Sequence, residues 1–196
     1  ATLLDLYNEI IKPNATTPHT WKRTRITVIH KSGDPCLPQN YRPISTIPIL
    51  YKLFARLLYN RLEPILDAQQ PADQAGFRRK FSTSDHLYTT MMVTEISNEW
   101  NVPVWTATLD FKKAFDTVSH KALWTAMSEQ NVPHSYIRLL THMYTGQSAT
   151  VKTDVSSHEF NIERGTKQGD PLSSLLFNSL SEAIFRKIKP QWTRRK

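Results

Sequence analysis

A short apolar, β-prone run that ends on a carboxylate constrains this chain more than any other stretch. The run is Val104-Trp-Thr-Ala-Thr-Leu109, whose β-branched and aromatic residues predict a strand, and Asp110 follows it directly. A carboxylate at the end of a buried strand is costly unless it meets a cation. We therefore expect Asp110 at the edge of a sheet, where it either holds a metal ion in a cleft or forms an ordinary surface turn.

Hydrophobic periodicity divides the rest of the chain into helices and strands that are interleaved along the sequence. The predicted helices cover residues 3–11, 49–65 with a kink or an early end at Pro64, 83–100 after a cap at Ser82 or Thr83, 120–130 after a cap at Ser119, 133–146 and 172–187. The predicted extended segments cover residues 21–30, which carry one charged face, residues 42–45, and a hairpin of 148–155 and 158–164. This interleaving predicts a mixture of helix and sheet, either α/β or α+β.

The charge balance favours a polyanionic partner. Among 196 residues there are 25 Lys and Arg against 17 Asp and Glu, a formal net charge of +8. Nucleic acid or an anionic membrane face would suit that charge, and so would a merely basic globular domain with a different function. No apolar run approaches the roughly 20 residues that span a bilayer, so we expect no membrane partner.

The cysteine count and the two ends of the sequence bear on the compartment. Cys36 is the single cysteine and cannot form an internal disulfide, which favours a reducing, intracellular location over secretion. The first residues lack the basic and apolar regions of a signal peptide. Both ends read like the interior of a longer chain, and we expect a fragment.

Three further stretches carry specific information. Asn40-Tyr-Arg-Pro-Ile-Ser45 follows a basic strand and a turn, and Gly165-Thr-Lys-Gln-Gly-Asp-Pro-Leu-Ser173 is a polar loop that opens onto an amphipathic helix. With Leu109-Asp-Phe-Lys-Lys-Ala-Phe-Asp116, in this order and spacing, they closely resemble a reverse transcriptase. Gln74-Ala-Gly-Phe-Arg-Arg-Lys-Phe-Ser-Thr-Ser-Asp-His86 resembles a block typical of the non-LTR retrotransposon (LINE-type) enzymes. The resemblance runs from about residue 21 to residue 187.

The resemblance implies a right-hand polymerase fold of the α+β class, with helices packed on a small, mostly antiparallel sheet. Residues 1–20 would form an extension that leads into the fingers, and residues 21–102 the fingers with helices that contact the palm. Residues 103–187 would form an incomplete palm, and residues 188–196 a basic, truncated tail.

The resemblance also implies roles for the residues around the first carboxylate. Asp110 would be the catalytic residue that holds the metal ions, Mg²⁺ or alternatively Mn²⁺, and the backbone carbonyl of Phe111 would ligate one of them. Phe115 would lie under the incoming sugar and exclude a 2′-hydroxyl, although a core aromatic is the simpler interpretation of this residue alone. Asp116 is expected to stabilise a turn or a cap and not to bind metal.

The nucleotide would be held by residues from two other motifs. Lys31 and Arg42 match fingers residues that grip the triphosphate, which suits a point charge and a forked guanidinium beside turns; the alternative is two solvated surface cations. Gln168 and Gly169 would pack against the base pair, since Gly169 allows close backbone approach and an amide can donate and accept. The neighbouring Asp170, Pro171 and Ser173 are typical of an ordinary helix start.

The expected activity is RNA-directed DNA synthesis, with an RNA template, a DNA primer and deoxynucleoside triphosphates as partners. The family's next block, an aromatic–Ala–Asp–Asp hairpin, and its thumb are not found in these residues, so we expect the segment alone to be inactive and poorly soluble. The remaining palm, the thumb and an endonuclease domain of a parent polypeptide would complete it in the nucleus. A non-catalytic nucleic-acid-binding remnant of a decayed element is the alternative.

Overall fold

A computed structural model describes residues 2–13, 15–153 and 156–193, and within these ranges the chain is an α+β fold with one four-stranded sheet. The helices are α1 (Leu3–Ile11), α2 (His19–Lys22), α3 (Ile49–Asp67), α4 (Thr83–Glu99), α5 (His120–Glu129), α6 (His134–Tyr144) and α7 (Ser173–Thr193). The strands are β1 (Arg23–His30), β2 (Tyr41–Thr46), β3 (Gln147–Lys152) and β4 (Phe160–Ile162). None of the described helices is long and apolar enough to cross a membrane.

The sheet has the strand order β2-β1-β3-β4 and is mixed. β1 pairs with β2 and β3 pairs with β4 in antiparallel fashion, which confirms the extended 42–45 segment and the later hairpin. Residues 154–155 of the predicted hairpin lie outside the described residues. β1 and β3 are parallel, a pairing that no motif indicated. Four helices separate these two strands in the sequence, and parallel neighbours require such a crossover connection.

Helix starts follow the side-chain chemistry that the sequence predicts. Ser82 precedes α4, and its backbone amide donates to the Asp85 carboxylate at 2.8 Å. The Ser119 hydroxyl accepts a hydrogen bond from the Ala122 amide at the start of α5. These contacts satisfy backbone donors that a helix cannot pair internally. The predicted caps at Ser82 and Ser119 are therefore confirmed.

The core includes the place where α3 packs against Trp21, which directly precedes β1. The ring of Trp21 lies 5.6 Å from that of Tyr51 and 5.5 Å from that of Phe54. Trp21 belongs to the short helix α2 and not to the strand that was predicted from residue 21. The buried side of α3 is Tyr51, Phe54, Ala55, Leu58, Tyr59, Leu62 and Leu66. Leu50, Leu53 and Leu57, which share the apolar stripe in the sequence, are exposed.

Two predicted helix ends are wrong. α3 continues past Pro64 to Asp67, so the early end is wrong; Pro64 removes only its own N–H···O hydrogen bond, and Leu62 and Leu66 on either side of it are buried. α7 runs to Thr193, through Pro190, and not to residue 187. Much of the predicted basic tail is therefore helical, and its residues 194–196 lie outside the described part of the chain.

The predicted strand at residues 104–109 is also wrong. Residues 102–111 form no regular element, and every side chain from residue 101 to residue 113 is exposed. Trp105 is 94% exposed and Leu109 is 69% exposed. A strand forms only where a neighbour pairs its backbone groups, and the described residues supply no such neighbour here. Residues 104–109 have the residue types of a strand, but among the described residues no strand pairs with them.

Candidate functional site

Three segments that are far apart in the sequence meet at the loop around Gln168. The Ser45 amide donates to the Gln168 carbonyl at 3.0 Å. The Thr166 amide donates to the Phe115 carbonyl at 2.8 Å, and the Gly165 amide donates to the Val118 carbonyl at 2.7 Å. Backbone hydrogen bonds therefore join the motifs 40–45, 109–116 and 165–173 into one site.

Two glycines allow this close approach. Gly165 has φ +91°, and a Cβ atom there would lie 2.9 Å from the carbonyl oxygen of Asp116. Gly169 has φ +106°, and its Cβ atom would lie 3.2 Å from the carbonyl oxygen of Ser45. Any side chain would strain both the dihedral angle and the contact. Gly169 therefore allows a close backbone approach to β2, and its packing against a base pair stays a prediction.

A small cleft of about 190 Å³ lies between these segments, with Ile26 and Ser45 on one side and Asp116 and Gln168 on the other. The Gln168 side-chain amide lies 3.4 Å from the Asp116 carboxylate, a long hydrogen bond. The Asp116 amide also closes a turn on the Lys113 carbonyl at 3.0 Å. Asp116 thus lies in a turn that its backbone amide closes, while its carboxylate contacts Gln168; stabilisation of a turn or a cap by the carboxylate stays a prediction.

The fourth motif, residues 74–86, contacts this site through the ring of Phe77. Phe115 is half-buried, with its ring centroid 4.9 Å from that of Phe177 and 5.9 Å from that of Phe77. The Asn178 side chain donates to the Gly76 carbonyl at 2.7 Å, which ties the loop of residues 74–86 to α7. The Phe115 ring therefore packs between the rings of Phe77 and Phe177. This packing is what a core aromatic would show, and part of Phe115 is still exposed.

The sequence did not indicate that the two ionisable residues on either side of Gln168, Lys167 and Asp170, are buried. Lys167 is 5% exposed; its ammonium group donates to the Trp21 carbonyl at 3.3 Å and lies 5.3 Å from the centre of the Tyr51 ring. Asp170 is also buried and accepts hydrogen bonds from the Tyr51 hydroxyl at 2.5 Å and the Leu172 amide at 3.0 Å. The bond from Leu172 confirms Asp170 as a helix-start residue, but the partner Tyr51 comes from α3.

Burial is the main influence on the pKa values of Lys167, Asp170 and Tyr51. Desolvation lowers the pKa of Lys167 to about 8, although the charge of Asp170 acts in the opposite direction. Desolvation raises the pKa of Asp170, against the hydrogen bond from Tyr51 and the attraction of Lys167. The pKa of the Tyr51 hydroxyl is raised well above its ordinary value, first by burial and then by Asp170. The sequence of the loop does not predict the burial of Lys167, because the residues that contact it, Trp21 and Tyr51, belong to α2 and α3.

Lys31 and Arg42 lie together at the end of the β1–β2 hairpin where the connecting loop joins the two strands. Arg42 pairs with Ile29 in the register, and the Lys31 amide, two residues beyond Ile29, donates to the Asn40 carbonyl at 2.8 Å. Both side chains are exposed. Neither one lines the small cleft at Gln168, which is reached by Pro43 and Ser45 from the other side of β2.

Asp110 and Phe111 lie on the irregular segment before the Phe115 turn. Asp110 is exposed, and the ring of Phe111 contacts that of Phe185 on α7 at 6.4 Å. Among the described residues, no three His, Cys, Asp or Glu side chains are grouped so that they could hold a metal ion. Asp110 and one carbonyl do not make a complete Mg²⁺ site, since Mg²⁺ needs near-octahedral oxygen ligation. The residues present therefore do not fit a resident metal without further ligands.

Comparisons with known proteins agree with the motifs. Residues 29–195 match the reverse transcriptase (RNA-dependent DNA polymerase) family. The chain is 33% identical over 175 residues to a retrovirus-related Pol polyprotein from the type-1 retrotransposable element R2 of Popillia japonica, covering 85% of this chain and 24% of that protein. It is 34% identical over 166 residues to a probable RNA-directed DNA polymerase from transposon X-element of Drosophila melanogaster, covering 82% of this chain and 18% of that protein.

A third relative is the Pol polyprotein from the type-2 retrotransposable element R2DM of Drosophila melanogaster, which is 30% identical over 172 residues, 87% of this chain and 16% of that protein. The chain thus spans a quarter or less of the length of these curated relatives. The family match covers all four motifs, including the three segments that meet at Gln168.

Proposed function

This chain belongs to the reverse transcriptase (RNA-dependent DNA polymerase) family, and we propose that it is the fingers and part of the palm of an RNA-directed DNA polymerase from a non-LTR retrotransposon. The fingers would comprise residues 21–102 and the palm segment residues 103–187. The observation that carries this proposal is the convergence of Ser45, Phe115 and Gln168 through backbone hydrogen bonds. Each belongs to a separate motif, and a polymerase site needs all of them in one place.

The chain's own residues would bind and orient the nucleotide. Lys31 and Arg42 would hold the triphosphate from the hairpin end, where both are exposed. Gln168 would support the base pair, since its backbone carbonyl accepts from the Ser45 amide and its side-chain amide donates to the Asp116 carboxylate. Phe115 would exclude a 2′-hydroxyl, because Phe77 and Phe177 prevent its ring from moving aside. These are contributions of positioning and electrostatics, with no covalent intermediate on the protein.

Two-metal catalysis would require more carboxylates than these residues supply. Asp110 would contribute one ligand and the carbonyl of Phe111 another, while the remaining ligands would come from polypeptide outside residues 1–196. The same polypeptide would pair with residues 104–109 and complete the palm sheet. We propose that residues 1–196 alone are inactive for this reason, and that the completed polypeptide acts in the nucleus on an RNA template with a DNA primer.

The test is primer extension on an RNA template by a polypeptide that contains this chain together with the rest of its palm. Asp110→Asn is expected to reduce extension by at least about 1000-fold, because a metal ligand is removed. Asp73→Asn is the matched control, since Asp73 pairs with Lys189 on the surface and should leave extension unchanged. Normal extension by Asp110→Asn would refute the role of Asp110.

The second candidate function is a nucleic-acid-binding remnant without catalysis. The net charge of +8 and the exposed cations of the sheet favour it. The two candidates differ in one result: the remnant binds RNA but does not extend a primer, even when the polypeptide includes the whole palm. Extension that depends on Asp110 would exclude the remnant.

A further inference from the structure

Two buried ionisable side chains flank the more accessible tip of the loop before α7. Lys167 is 5% exposed and Asp170 is 6% exposed, whereas Gln168 is half-buried and Gly169 is exposed. Removing an ammonium group or a carboxylate from water is costly, so each one needs partners inside the protein. The loop is therefore attached to the core on both sides of Gln168 and Gly169.

Both attachments reach the same side chain of α3, that of Tyr51. The Tyr51 hydroxyl donates to the Asp170 carboxylate at 2.5 Å, and the Lys167 ammonium group lies 5.3 Å from the centre of the same ring. Tyr51 is 1% exposed, and its ring packs edge-on against that of Trp21. A side chain enclosed in this way is a fixed support, because protein interiors are close-packed. Tyr51, Lys167 and Asp170 together form the loop anchor.

The backbone is closed into a turn between the two attached residues. The Asp170 amide donates to the Lys167 carbonyl at 3.0 Å, which places Gln168 and Gly169 at the centre of the turn. The Ser173 hydroxyl donates to the same carbonyl at 2.8 Å. A shift of this turn would separate buried polar groups from their partners, and unpaired buried polar groups are costly. The loop anchor therefore leaves few positions open to the two central residues.

Gln168 makes its own contacts from the centre of this turn. Its carbonyl accepts from the Ser45 amide at 3.0 Å, and its side-chain amide donates to the Asp116 carboxylate at 3.4 Å. We propose that the loop anchor positions Gln168 against β2. Tyr51 is thus a positioning residue for the site although it lies outside all four motifs. The proposal rests on the proposed function only for the part that Gln168 plays towards the nucleotide.

The first test measures hydrogen exchange of single backbone amides in the 196-residue chain, by NMR at neutral pH. The reporter is the Ser45 amide, because its acceptor is the Gln168 carbonyl. The reference is the Leu123 amide, which donates to the Ser119 carbonyl in α5 at 3.0 Å, away from the loop. The ratio of the two exchange rates separates movement of the loop from a general loss of stability.

Two variants each remove one half of the loop anchor. Lys167→Met keeps an unbranched side chain but removes the ammonium group, and Tyr51→Phe keeps the ring but removes the hydroxyl that binds Asp170. Tyr7→Phe is the matched control. It also removes a hydroxyl from the aromatic cluster around Trp21, but that hydroxyl donates to a carbonyl of α3 and not to the loop.

In Lys167→Met and in Tyr51→Phe, the exchange of the Ser45 amide should rise at least about tenfold relative to that of Leu123. Tyr7→Phe should not raise this ratio, because a general loss of stability accelerates exchange throughout the core. A merely structural part for the loop anchor would give the same result as the control. An unchanged ratio in either loop-anchor variant would therefore overturn the proposal.

The second test measures the KM for deoxynucleoside triphosphates in the polypeptide with a complete palm. Lys167→Met should raise this KM, and Lys167→Met with Gln168→Ala should stay within about twofold of Gln168→Ala alone, because both changes act through one side chain. Increases that multiply would overturn action through Gln168. If Gln168→Ala leaves the KM unchanged while the exchange ratio rises, the nucleotide role of Gln168 fails and its positioning by the loop anchor stands.

Discussion

The backbone amide of Ser45 donates a 3.0 Å hydrogen bond to the carbonyl oxygen of Gln168, and this contact joins the β1–β2 hairpin to the loop before α7. It makes the position of Gln168 depend on β2, which also carries Arg42. The residues proposed to hold the triphosphate and the base pair are thus parts of one connected backbone. Gly169 is the residue that allows this contact, because it has no side chain beside the Ser45 carbonyl.

Replacing Gly169 by alanine should therefore lower the free energy of unfolding by about 2–3 kcal/mol, from dihedral strain and the 3.2 Å approach to Ser45. Gly146→Ala is the matched control. Gly146 also has positive φ, +68°, but nothing lies within 4 Å of its Cβ position, so that its cost should be about 1 kcal/mol. Urea unfolding of both variants measures the difference, and equal losses would contradict the close-contact argument.

Removing the Tyr51 hydroxyl should destabilise the chain more than removing another tyrosine hydroxyl. Tyr51 donates to a buried carboxylate, Asp170, whereas Tyr7 donates to a neutral carbonyl, that of Leu50, at 2.9 Å. We expect Tyr51→Phe to cost about 2–3 kcal/mol and Tyr7→Phe about 1 kcal/mol, because hydrogen bonds to charged groups are the stronger ones. Chemical denaturation measures both values. A smaller loss for Tyr51→Phe would mean that Asp170 is protonated in the folded chain.

Stability should depend on pH through Lys167. Its pKa is about 8 in the folded chain and near 10.5 when unfolded, so the unfolded chain binds more protons between these values. Stability should therefore rise as the pH increases from about 8 towards 10. Above 10 the raised pKa of Tyr51 acts in the opposite direction, since the unfolded chain then loses that proton first.

The measurement is urea unfolding of the parent chain and of Lys167→Met at pH 7.5, 8.5 and 9.5. These pH values lie around the range in which the protonation of Lys167 differs between the folded and unfolded chain. The parent should gain stability across this range relative to the variant. Asp170, Lys52 and Tyr144 also act electrostatically within the group of Lys167, Asp170 and Tyr51. A constant difference between the two proteins would show that Lys167 keeps its ordinary pKa.

Sugar selection should depend on the ring of Phe115. In the polypeptide with a complete palm, Phe115→Ala should reduce the preference for deoxynucleotides over ribonucleotides by at least about 10-fold, since a missing steric barrier is worth about 1–3 kcal/mol. Phe115→Tyr keeps the ring between Phe77 and Phe177 and should keep the preference. Single-nucleotide incorporation with each sugar measures the ratio, and an unchanged ratio in Phe115→Ala would end the filter hypothesis.

The chain should associate with itself at high concentration. α4 has no buried residue, and Leu87 and Met91 are exposed at 64% and 60%, on the helix that precedes the uncovered segment containing Trp105. Exposed apolar surface of this extent normally marks an interface. Leu87→Lys with Met91→Lys should reduce self-association in light scattering. Thr90→Lys with Thr94→Lys, on the same helix, adds the same charge without removing apolar surface and should reduce it less.

Local chemistry accounts for the parts of the fold that the sequence predicts well. Ser82 and Ser119 begin helices because their own side chains or their neighbours satisfy nearby backbone groups. The charged face of β1 follows from alternation within one strand. Four ordered motifs likewise indicated the reverse transcriptase family before any contact was known, and residues 29–195 match it. The roles of Asp110, Phe111, Lys31 and Arg42 remain predictions.

Features that need two distant segments could not be predicted in the same way. The residues 104–109 have the composition of a strand, but a strand exists only where another segment pairs with it. The burial of Lys167 depends on Trp21 and Tyr51, which lie far earlier in the chain. Residue types and their spacing thus established the family and the candidate chemistry, because these are local properties. Which groups are buried, paired or charged was settled by packing, because desolvation and hydrogen bonding depend on neighbours that folding brings together.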